Sequence, residues 1–206
     1  MSNKEEEKNS LTVDEDYELV CSCQKGDANA FEVLVEKYQK KVLNIVYRMI
    51  GNYEEACEVV QDAFFSAYKA MGKFRGESRF SSWLYAIAIN LSKNRRKQIK
   101  VRFHREGLSI DDPAETEDGV LMRDPPAQGP SIVEQLERKE VQAKVQECMN
   151  LLGDEYKEVL VLRDVQGFSY EEIRDILKIP DGTVKSRLFR ARDAVKDCLK
   201  KALGDL

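Results

Sequence analysis

The spacing of apolar positions predicts helices along most of the chain. Apolar residues recur every three to four positions, and the alternating pattern typical of strands is poor throughout. Turn residues such as Gly26-Asp27 and Gly51-Asn52 separate the periodic stretches. The predicted helices of the first half are 17–23, 28–50, 53–71 and about 81–103, and those of the second half begin with 131–152.

A different composition marks residues 107–130. Four of the five prolines and six acidic residues lie there, with little apolar content, which predicts an extended linker. The fold class is therefore all-α, with two small helical domains joined by an acidic, proline-rich linker. The predicted division is a disordered acidic tail at 1–14, a first domain at 15–105, the linker at 106–131 and a second domain at 132–206.

The last quarter of the chain has the pattern of a helix-turn-helix. Ser169 and Glu172 are three residues apart, as in a capping box, and open a short helix. Pro180-Asp181-Gly182 stops that helix, and Asp181 is predicted to cap the next one. A helix-turn-helix places its second helix in the major groove of DNA. The alternative is a solvated charged face on a small helical domain, and the capped helix and the turn favour DNA binding.

The helix after this turn combines an apolar stripe with a basic face. At about 100° per residue, four apolar residues share one side and are predicted to be buried: Val184, Leu188, Ala191 and Val195. Arginine can donate two hydrogen bonds to guanine, and serine and lysine suit phosphates and base edges. The candidate DNA contacts lie off the stripe: Lys185, Ser186, Arg187, Phe189 and Arg190.

The first domain carries a second candidate surface. The loop 74–78 contains Phe74 and Arg75 beside Gly76, and flat side chains of this kind stack on unpaired bases, while a small polar group such as Ser78 suits a base edge. Core packing explains the neighbouring Phe80 and Trp83 at least as well as DNA contact, whereas the position of Phe74 favours contact. The helix that follows has a core stripe of Leu84, Ile87, Ala88 and Leu91 and a polar row of Asn90, Lys93, Asn94 and Lys97.

Charge is distributed unevenly. The net charge is −4, yet residues 79–105 carry +8 and residues 183–201 carry +5, which leaves −17 on the remainder. Two local basic surfaces on an acidic body predict nucleic-acid contacts at two places with weak affinity for DNA alone. The acidic charge on the rest of the chain predicts a further partner besides nucleic acid.

No cofactor or metal site is predicted. The five cysteines are scattered, the spacing of Cys21 and Cys23 differs from zinc and redox motifs, and His104 has no second ligand nearby. Each cysteine is therefore expected to be a structural or solvent-facing thiol, and their odd number fits a reducing compartment. The acidic segment 1–10 is unlike a signal peptide and no apolar run reaches about 18 residues, so the expected location is cytoplasmic, without membrane insertion.

Four stretches together resemble a known family. They are Gln24-Lys25-Gly26-Asp27…Ala30-Phe31; Val59-Val60-Gln61-Asp62-Ala63-Phe64; Phe74-Arg75-Gly76-Glu77-Ser78…Trp83-Leu84-Tyr85…Ala88-Ile89-Asn90; and Gly182-Thr183-Val184-Lys185-Ser186-Arg187-Leu188-Phe189-Arg190-Ala191-Arg192. In this order the chain resembles the extracytoplasmic-function (ECF, sigma-E-like) sigma factors of bacterial RNA polymerase. These have only sigma domains 2 and 4.

The resemblance implies three sets of contacts. In this family the helix 59–65 packs on the β′ coiled coil of core polymerase, which implies contacts by Val59, Val60, Gln61, Asp62, Phe64 and Phe65. The loop 74–78 captures a flipped base of the minus-10 element and the basic helix lines that DNA, which implies contacts by Ala70, Phe74, Arg75, Gly76, Ser78, Asn90, Lys93, Asn94 and Arg95. The helix 183–192 reads the minus-35 element, which implies contacts by Thr183, Lys185, Ser186, Arg187, Phe189 and Arg190.

The resemblance further implies a protein that is not an enzyme and that directs promoter recognition and melting for a stress-type regulon. Its expected partners are core polymerase, including the β flap, promoter DNA and a membrane-bound anti-sigma factor, with the linker running toward the polymerase active-site cleft. Two other interpretations stay open from the residues alone. An ordinary helix-turn-helix regulator predicts tight binding to a palindrome without polymerase. A nucleic-acid enzyme would need a nucleophile–base pair or a metal-ligand set beside a basic surface, and the sequence offers neither.

Overall fold

Helices form both parts of the chain that the structure describes. The computed structural model describes residues 14–106 and 132–203, and within these ranges it contains helices and no strand. The first helical unit contains α1 (Tyr17–Gln24), α2 (Ala28–Ile50), α3 (Tyr53–Ala70), a 3₁₀ turn (Met71–Lys73) and α4 (Phe80–Glu106). The second helical unit contains α5 (Ile132–Leu151), α6 (Asp154–Leu160), a π-helical turn (Val161–Val165), α7 (Tyr170–Leu177) and α8 (Asp181–Leu203). The predicted all-α fold class is confirmed. All but Asp14 of the predicted tail at 1–14 and most of the linker at 106–131 lie outside the described residues.

Polar caps set the ends of α2 and α3 where the turn residues predict them. The carboxylate of Asp27 accepts hydrogen bonds from the backbone N–H of Asn29 at 2.9 Å and of Ala30 at 3.4 Å. Gly51 ends α2 with a φ of 89°, a left-handed conformation that costs glycine little. The side chain of Asn52 then caps α3. These local signals confirm the predicted turns at 25–27 and 51–52.

The helix-turn-helix is present, with one boundary corrected. Ser169 and Glu172 form the predicted capping box, with reciprocal hydrogen bonds of 3.1 and 2.8 Å. Asp181, predicted to cap α8, is instead its first helical residue. The backbone N–H of Thr183 already bonds to the carbonyl of Pro180, because the fixed φ of proline suits a helix start.

The core of the first unit lies between α2, α3 and α4. Its most deeply buried side chains come at helical spacing from two long helices: Leu34, Val42, Ile45 and Met49 from α2, and Phe80, Leu84 and Ala88 from α4. Of the stripe predicted on α4, Leu84 and Ala88 are fully buried, while Ile87 and Leu91 pack at the edge of the core.

The second unit has a smaller core and a covalent link. Val184, Leu188 and Ala191 of α8 are buried as predicted and pack with residues of α6 and α7, whereas Val195 of the same stripe is only partly buried. Cys148 of α5 and Cys198 of α8 form a disulfide, with their Cα atoms 5.7 Å apart. The expectation that every cysteine is a thiol is therefore wrong for this pair, because the packing of α5 against α8 juxtaposes residues 50 positions apart. Cys21, Cys23 and Cys57 are free.

The two cores are continuous. Tyr85 of α4 and Phe168, which precedes α7, meet edge to face with ring centroids 5.3 Å apart. The ammonium of Lys41 lies 4.2 Å from the centroid of the Phe168 ring. The described residues therefore form one closed body rather than two separate globules.

Within residues 14–106 and 132–203, no helix is long and apolar enough to cross a membrane. No cluster of three or more histidine, cysteine or acidic residues that could hold a metal occurs among the same residues.

Candidate nucleic-acid and polymerase interfaces

The loop of residues 74–79 is held at its start by α1. The side-chain amide of Gln24 donates to the carbonyl oxygens of Met71 at 3.1 Å and Phe74 at 2.8 Å. Gly76 has a φ of 70°, which turns the loop where a β-substituted residue would be strained. The loop thus combines a fixed base with an exposed tip.

Phe74, the predicted base-stacking residue, is partly buried among aromatic rings. Its ring centroid lies 4.8 Å from that of Trp83 and 6.2 Å from that of Phe80, which is fully buried. Part of its ring is therefore used in packing, and Trp83 continues the aromatic surface toward solvent. Arg75 is 84% exposed at its side chain, with Glu77 3.9 Å away.

Two acids that the sequence pattern does not single out fix this region from the N-terminal side. The carboxylate of Asp14 accepts the backbone N–H of Phe80 at 2.7 Å and so caps the start of α4. Asp16 is fully buried and accepts the hydroxyl of Tyr38 and, at 2.6 Å, the ammonium of Lys37. Burial and the bond to Asp16 raise the pKa of Tyr38 well above its usual range. The only sequence signal is a run of acids before a helix, which does not reveal partners more than 20 residues away.

The predicted minus-10 row on α4 is only partly open. Asn90 and Asn94 are exposed. Lys93 is one third exposed at its side chain, and its ammonium lies 2.9 Å from a carboxylate oxygen of Glu158 on α6. The second unit therefore covers one end of this row.

Arg95 is held by acids of α3. Its guanidinium lies 2.8 Å from Glu55 and 2.9 Å from Glu58, and the side chain is 18% exposed. Beyond Arg95 the basic face continues through Lys97, which belongs to the predicted polar row, and then through Gln98, Arg102 and Arg105, which the sequence-based prediction did not include. Arg102 is more than half exposed, although Glu55 lies 3.5 Å from it.

The helix α8 presents most of its predicted minus-35 residues to solvent. Lys185, Ser186 and Arg190 are exposed, Phe189 is 73% exposed, and Thr183 is half-buried. Arg187 differs, because Glu155 and Glu158 of α6 hold its guanidinium at 3.0 and 3.4 Å.

An apolar groove of roughly 600 Å³ runs between α2 and α3, and its lining shares no residue with the basic face of α4 or of α8. Its walls include Phe31 and Val35 of α2 and three aromatic residues of α3: Phe64, Phe65 and Tyr68. Phe65 is 57% exposed and Tyr68 48% exposed, which is unusual for adjacent aromatic residues of a soluble helix.

The residues of α3 that are predicted to contact polymerase differ in their exposure. Gln61, Asp62 and Phe65 are exposed and Val60 is half-buried, whereas Val59 and Phe64 belong mainly to the core. Ala70, predicted for the minus-10 set, is half-buried at the end of α3. The α2 side of the groove was missed by the sequence analysis, although Phe31 and Val35 carry the signal of an apolar pair four residues apart.

Buried charges lie where the two units meet. Lys157 of α6 is fully buried, and its ammonium donates to the carbonyl of Met49 at 2.8 Å and to the side-chain oxygen of Asn150 at 2.7 Å. Burial, reinforced by the nearby guanidinium of Arg96, lowers the pKa of Lys157 to about 6. Arg96 in turn pairs with Asp154, and burial lowers its pKa.

Two family models match the two units in order. Sigma-70 region 2 matches residues 34–101 and Sigma-70, region 4 matches residues 142–195. The RNA polymerase sigma-H factor of Pseudomonas aeruginosa is 37% identical over 195 residues, which cover 95% of this chain and 99% of that protein. The ECF RNA polymerase sigma-E factor of Escherichia coli K12 is 38% identical over 184 residues, covering 87% and 92%. The chain belongs to the sigma-70 family, in its ECF group.

Solved structures agree with this fold. The sigma-70 family chain superimposes on CnrH in complex with the cytosolic domain of CnrY with a TM-score of 0.63, at 22% identity, over 90% of this chain and 97% of that one. It superimposes on the sigma factor RpoE in complex with the anti-sigma factor NepR from Bartonella quintana with a TM-score of 0.56, at 24% identity, over 82% and 96%. As an ECF sigma factor, the protein acts in the initiation of transcription by RNA polymerase.

Proposed function

We propose that this sigma factor uses three separate surfaces, one for polymerase and two for promoter DNA. The groove between α2 and α3 receives the β′ coiled coil, the loop 74–79 with α4 binds the minus-10 element, and α8 reads the minus-35 element. The observation that carries this proposal is an exposed apolar groove that shares no residue with the two basic helix faces. An apolar groove suits a protein partner, while basic faces suit a polyanion.

Binding energy rather than covalent chemistry drives promoter opening in this proposal. Flipping a base out of the duplex costs a few kcal/mol. Stacking on an aromatic side chain returns about 1–3 kcal/mol per base. Phe74 and Trp83 supply such a surface, and the cations of α4 hold the phosphates nearby. The protein acts where its polymerase acts, in the cytoplasm, on genes of a stress-type regulon.

An anti-sigma factor is the proposed regulatory partner. Of the two structural neighbours described above, CnrH was solved in complex with the cytosolic domain of CnrY and RpoE in complex with the anti-sigma factor NepR. A membrane-bound partner of this kind would keep the sigma factor from polymerase until a signal releases it.

Run-off transcription from a bacterial promoter library tests the function. Purified core polymerase is assayed with and without the full-length chain, and promoter-specific transcripts are expected only with it. If transcripts are absent while the protein alone binds duplex DNA tightly, the interpretation as an ordinary regulator replaces this one.

Substitutions test each surface. Phe65→Ala and Asp62→Ala are expected to weaken binding to core polymerase, measured by fluorescence anisotropy of the labelled chain. Glu36→Ala, an exposed acid on α2, is the control for Asp62→Ala.

Arg190→Ala is expected to relax recognition at one upstream base by about 1–3 kcal/mol. Lys196→Ala, which removes an exposed cation farther along α8, is its control. A surface whose variants behave like their controls is wrongly assigned.

A further inference from the structure

The side chain of Gln24 holds the first end of the loop 74–79. Gln24 is the last residue of α1, and its amide donates to the carbonyl oxygens of Met71 at 3.1 Å and Phe74 at 2.8 Å. A side-chain amide has two donor hydrogens, so these two contacts use both of them. The backbone N–H of Phe74 also bonds to the carbonyl of Met71, at 3.1 Å. The direction in which the chain leaves the 3₁₀ turn is therefore fixed by α1.

Asp14, in the turn before α1, holds the other end of the loop. Its carboxylate accepts the backbone N–H of Phe80, the first residue of α4, at 2.7 Å. The same turn is anchored to α2, because the buried Asp16 binds the hydroxyl of Tyr38 and the ammonium of Lys37. The rings of Tyr38 and Phe80 also pack together, with centroids 5.8 Å apart. One short helix and the turn before it thus contact both ends of the loop.

The aromatic surface of this region depends on where those two ends lie. Phe74 stands at the first end and Phe80 at the second, and the ring of Trp83 lies 4.8 Å from the former and 6.0 Å from the latter. Between the two ends, Gly76 turns the chain with a φ of 70°. A loop that is ordered before binding loses less conformational entropy when a ligand arrives, which raises affinity.

This inference rests on the proposed function, in which Phe74 and Trp83 stack on an unpaired base of the minus-10 element. We propose that Gln24 and Asp14 are positioning residues for that base: they order the loop 74–79 from both ends without contacting DNA. Their removal therefore weakens the binding of unpaired bases and leaves the binding of phosphates unchanged.

Two single strands of about 12 nucleotides separate these contributions, one of random sequence and one abasic, with the same phosphates and no bases to stack. The full-length chain is titrated with each strand, and fluorescence anisotropy of a dye on the strand gives the affinity. The ratio of the two affinities measures base binding, because the phosphate contribution is common to both. For the wild type this ratio is expected to be at least about fivefold, the equivalent of one stacked base.

Trp83 adds a signal that is specific to this loop, since it is the only tryptophan of the chain. A base that stacks on an indole ring quenches its fluorescence, whereas an abasic strand has no ring to do so. Quenching of the wild type by the random strand, and not by the abasic strand, is expected.

Gln24→Met removes both amide donors and keeps the length and helix propensity of the side chain. The affinity ratio is expected to fall about three- to tenfold, as for the loss of hydrogen bonds that order a loop. Quenching of Trp83 at saturation should fall with it. Gln142→Met is the matched control, because it makes the same change at an exposed position of α5.

Asp14→Ala removes the acceptor for Phe80 and is expected to lower the ratio by a similar factor. Asp14→Asn keeps an acceptor oxygen, and asparagine caps a helix as well as aspartate does. It should therefore retain the wild-type ratio, which separates the loss of the cap from the loss of a charge.

An unchanged ratio and unchanged quenching in Gln24→Met and Asp14→Ala, both folded by circular dichroism, would overturn the proposal. So would an equal loss of affinity for both strands, since that is the mark of a general structural defect. If Asp14→Ala does not fold, the ratio for Gln24→Met decides between the two results.

Failure of the positioning role can be told from failure of the proposed function. A wild type that prefers the random strand, with variants that do so equally, rejects the positioning role alone. A wild type with no such preference rejects base capture by this loop and the positioning role with it. The expected losses without any promoter-specific run-off transcript reject the proposed function and leave the positioning of a base-binding loop intact.

Discussion

The two helical units of this sigma factor are stabilised in different ways. The first is built on α2 and α4, helices of 23 and 27 residues whose apolar faces bury long rows of side chains. The second also has two long helices, α5 and α8, but the elements that lie between them along the chain, α6 and α7, have only 7 and 8 residues. Helices shorter than about 12–15 residues are marginal by themselves in water. The second unit therefore relies more on individual links between elements.

Those links are covalent and polar. The Cys148–Cys198 disulfide joins α5 to α8, a capping box starts α7, and Arg192 of α8 binds Asp164 of the π-helical turn at 2.8 Å. The comparison shows that a long amphipathic helix spreads its stabilisation over many contacts, whereas a short one concentrates it in a few. Four changes, in order of decreasing expected effect, test that difference.

The largest effect is expected from the disulfide. Closing a loop across 50 residues restricts the unfolded chain by about 4 kcal/mol in the loop-entropy account. Replacing both Cys148 and Cys198 by serine, or adding dithiothreitol, is expected to lower the free energy of unfolding by up to this amount. Guanidinium unfolding with and without reductant measures it.

Cys57→Ser is the control, because Cys57 is a free thiol of the first unit. Its stability should respond to reductant as the wild type does. Rapid alkylation of Cys148 and Cys198 in the folded, non-reduced protein would contradict the prediction.

In the first unit, Leu34→Ala is expected to cost about 3 kcal/mol, within the range of about 2–5 found for buried leucines. Leu34 is completely buried between helices that cannot easily collapse onto the cavity. Its neighbour Val33 is 47% exposed, so Val33→Ala should change the free energy of unfolding by less than about 0.5 kcal/mol. Urea unfolding of both variants measures this difference. Similar losses in the free energy of unfolding would mean that Leu34 is not a core residue.

The same contrast explains what could be predicted from the sequence. Apolar periodicity predicts the helices of the first unit and the buried face of α8. The residues next to Ser169 and Asp27 in the sequence are enough to predict that these two side chains cap helices. No sequence pattern marks Glu158, because a glutamate at the fifth position of a short helix resembles any solvent-exposed glutamate. Its ion pairs are made with Lys93 and Arg187, which are distant along the chain.

The disulfide and the groove were missed for related reasons. Cysteines 50 residues apart give no spacing rule, and only the packing of α5 on α8 brings them together. Phe31 belongs to the buried stripe of α2 and Val35 packs against the core, so periodicity alone assigns both to the core. Their place on an open groove depends on the angle at which α3 crosses.

A third, intermediate effect is expected from pH, through Lys157. An unfolded lysine has a pKa near 10.5, while burial lowers that of folded Lys157 to about 6. Between these values the unfolded state binds more protons, so stability should rise with pH above about 6, by up to about 1.4 kcal/mol per pH unit. Below pH 6 both states are protonated and the full penalty of the buried charge remains. Burial raises the pKa of Glu158. Because the folded state then holds this proton more tightly than the unfolded state, Glu158 makes the free energy of unfolding fall as the pH rises above the usual pKa of a glutamate.

Lys157→Met isolates this contribution. It removes the titrating group with little change in volume, so the rise in the free energy of unfolding between pH 6 and 8 should flatten. Lys144→Met is the control, since Lys144 lies on α5 in an exposed ion pair with Glu147. A wild type whose stability is unchanged from pH 6 to 8 would mean that Lys157 stays charged in the closed protein.

The smallest effect, about 1 kcal/mol each, is expected from the matched caps Ser169→Ala and Asp27→Ala. Both remove a side-chain acceptor for the first free N–H groups of a helix. In the eight-residue α7 that loss affects every turn, whereas the first turn of the 23-residue α2 can fray alone. Hydrogen exchange should therefore speed up throughout α7 in the first variant and only at residues 28–31 in the second. Exchange confined to the first turn in both variants would mean that the contacts of α7 with α4 and α8, rather than its capping box, hold the helix together.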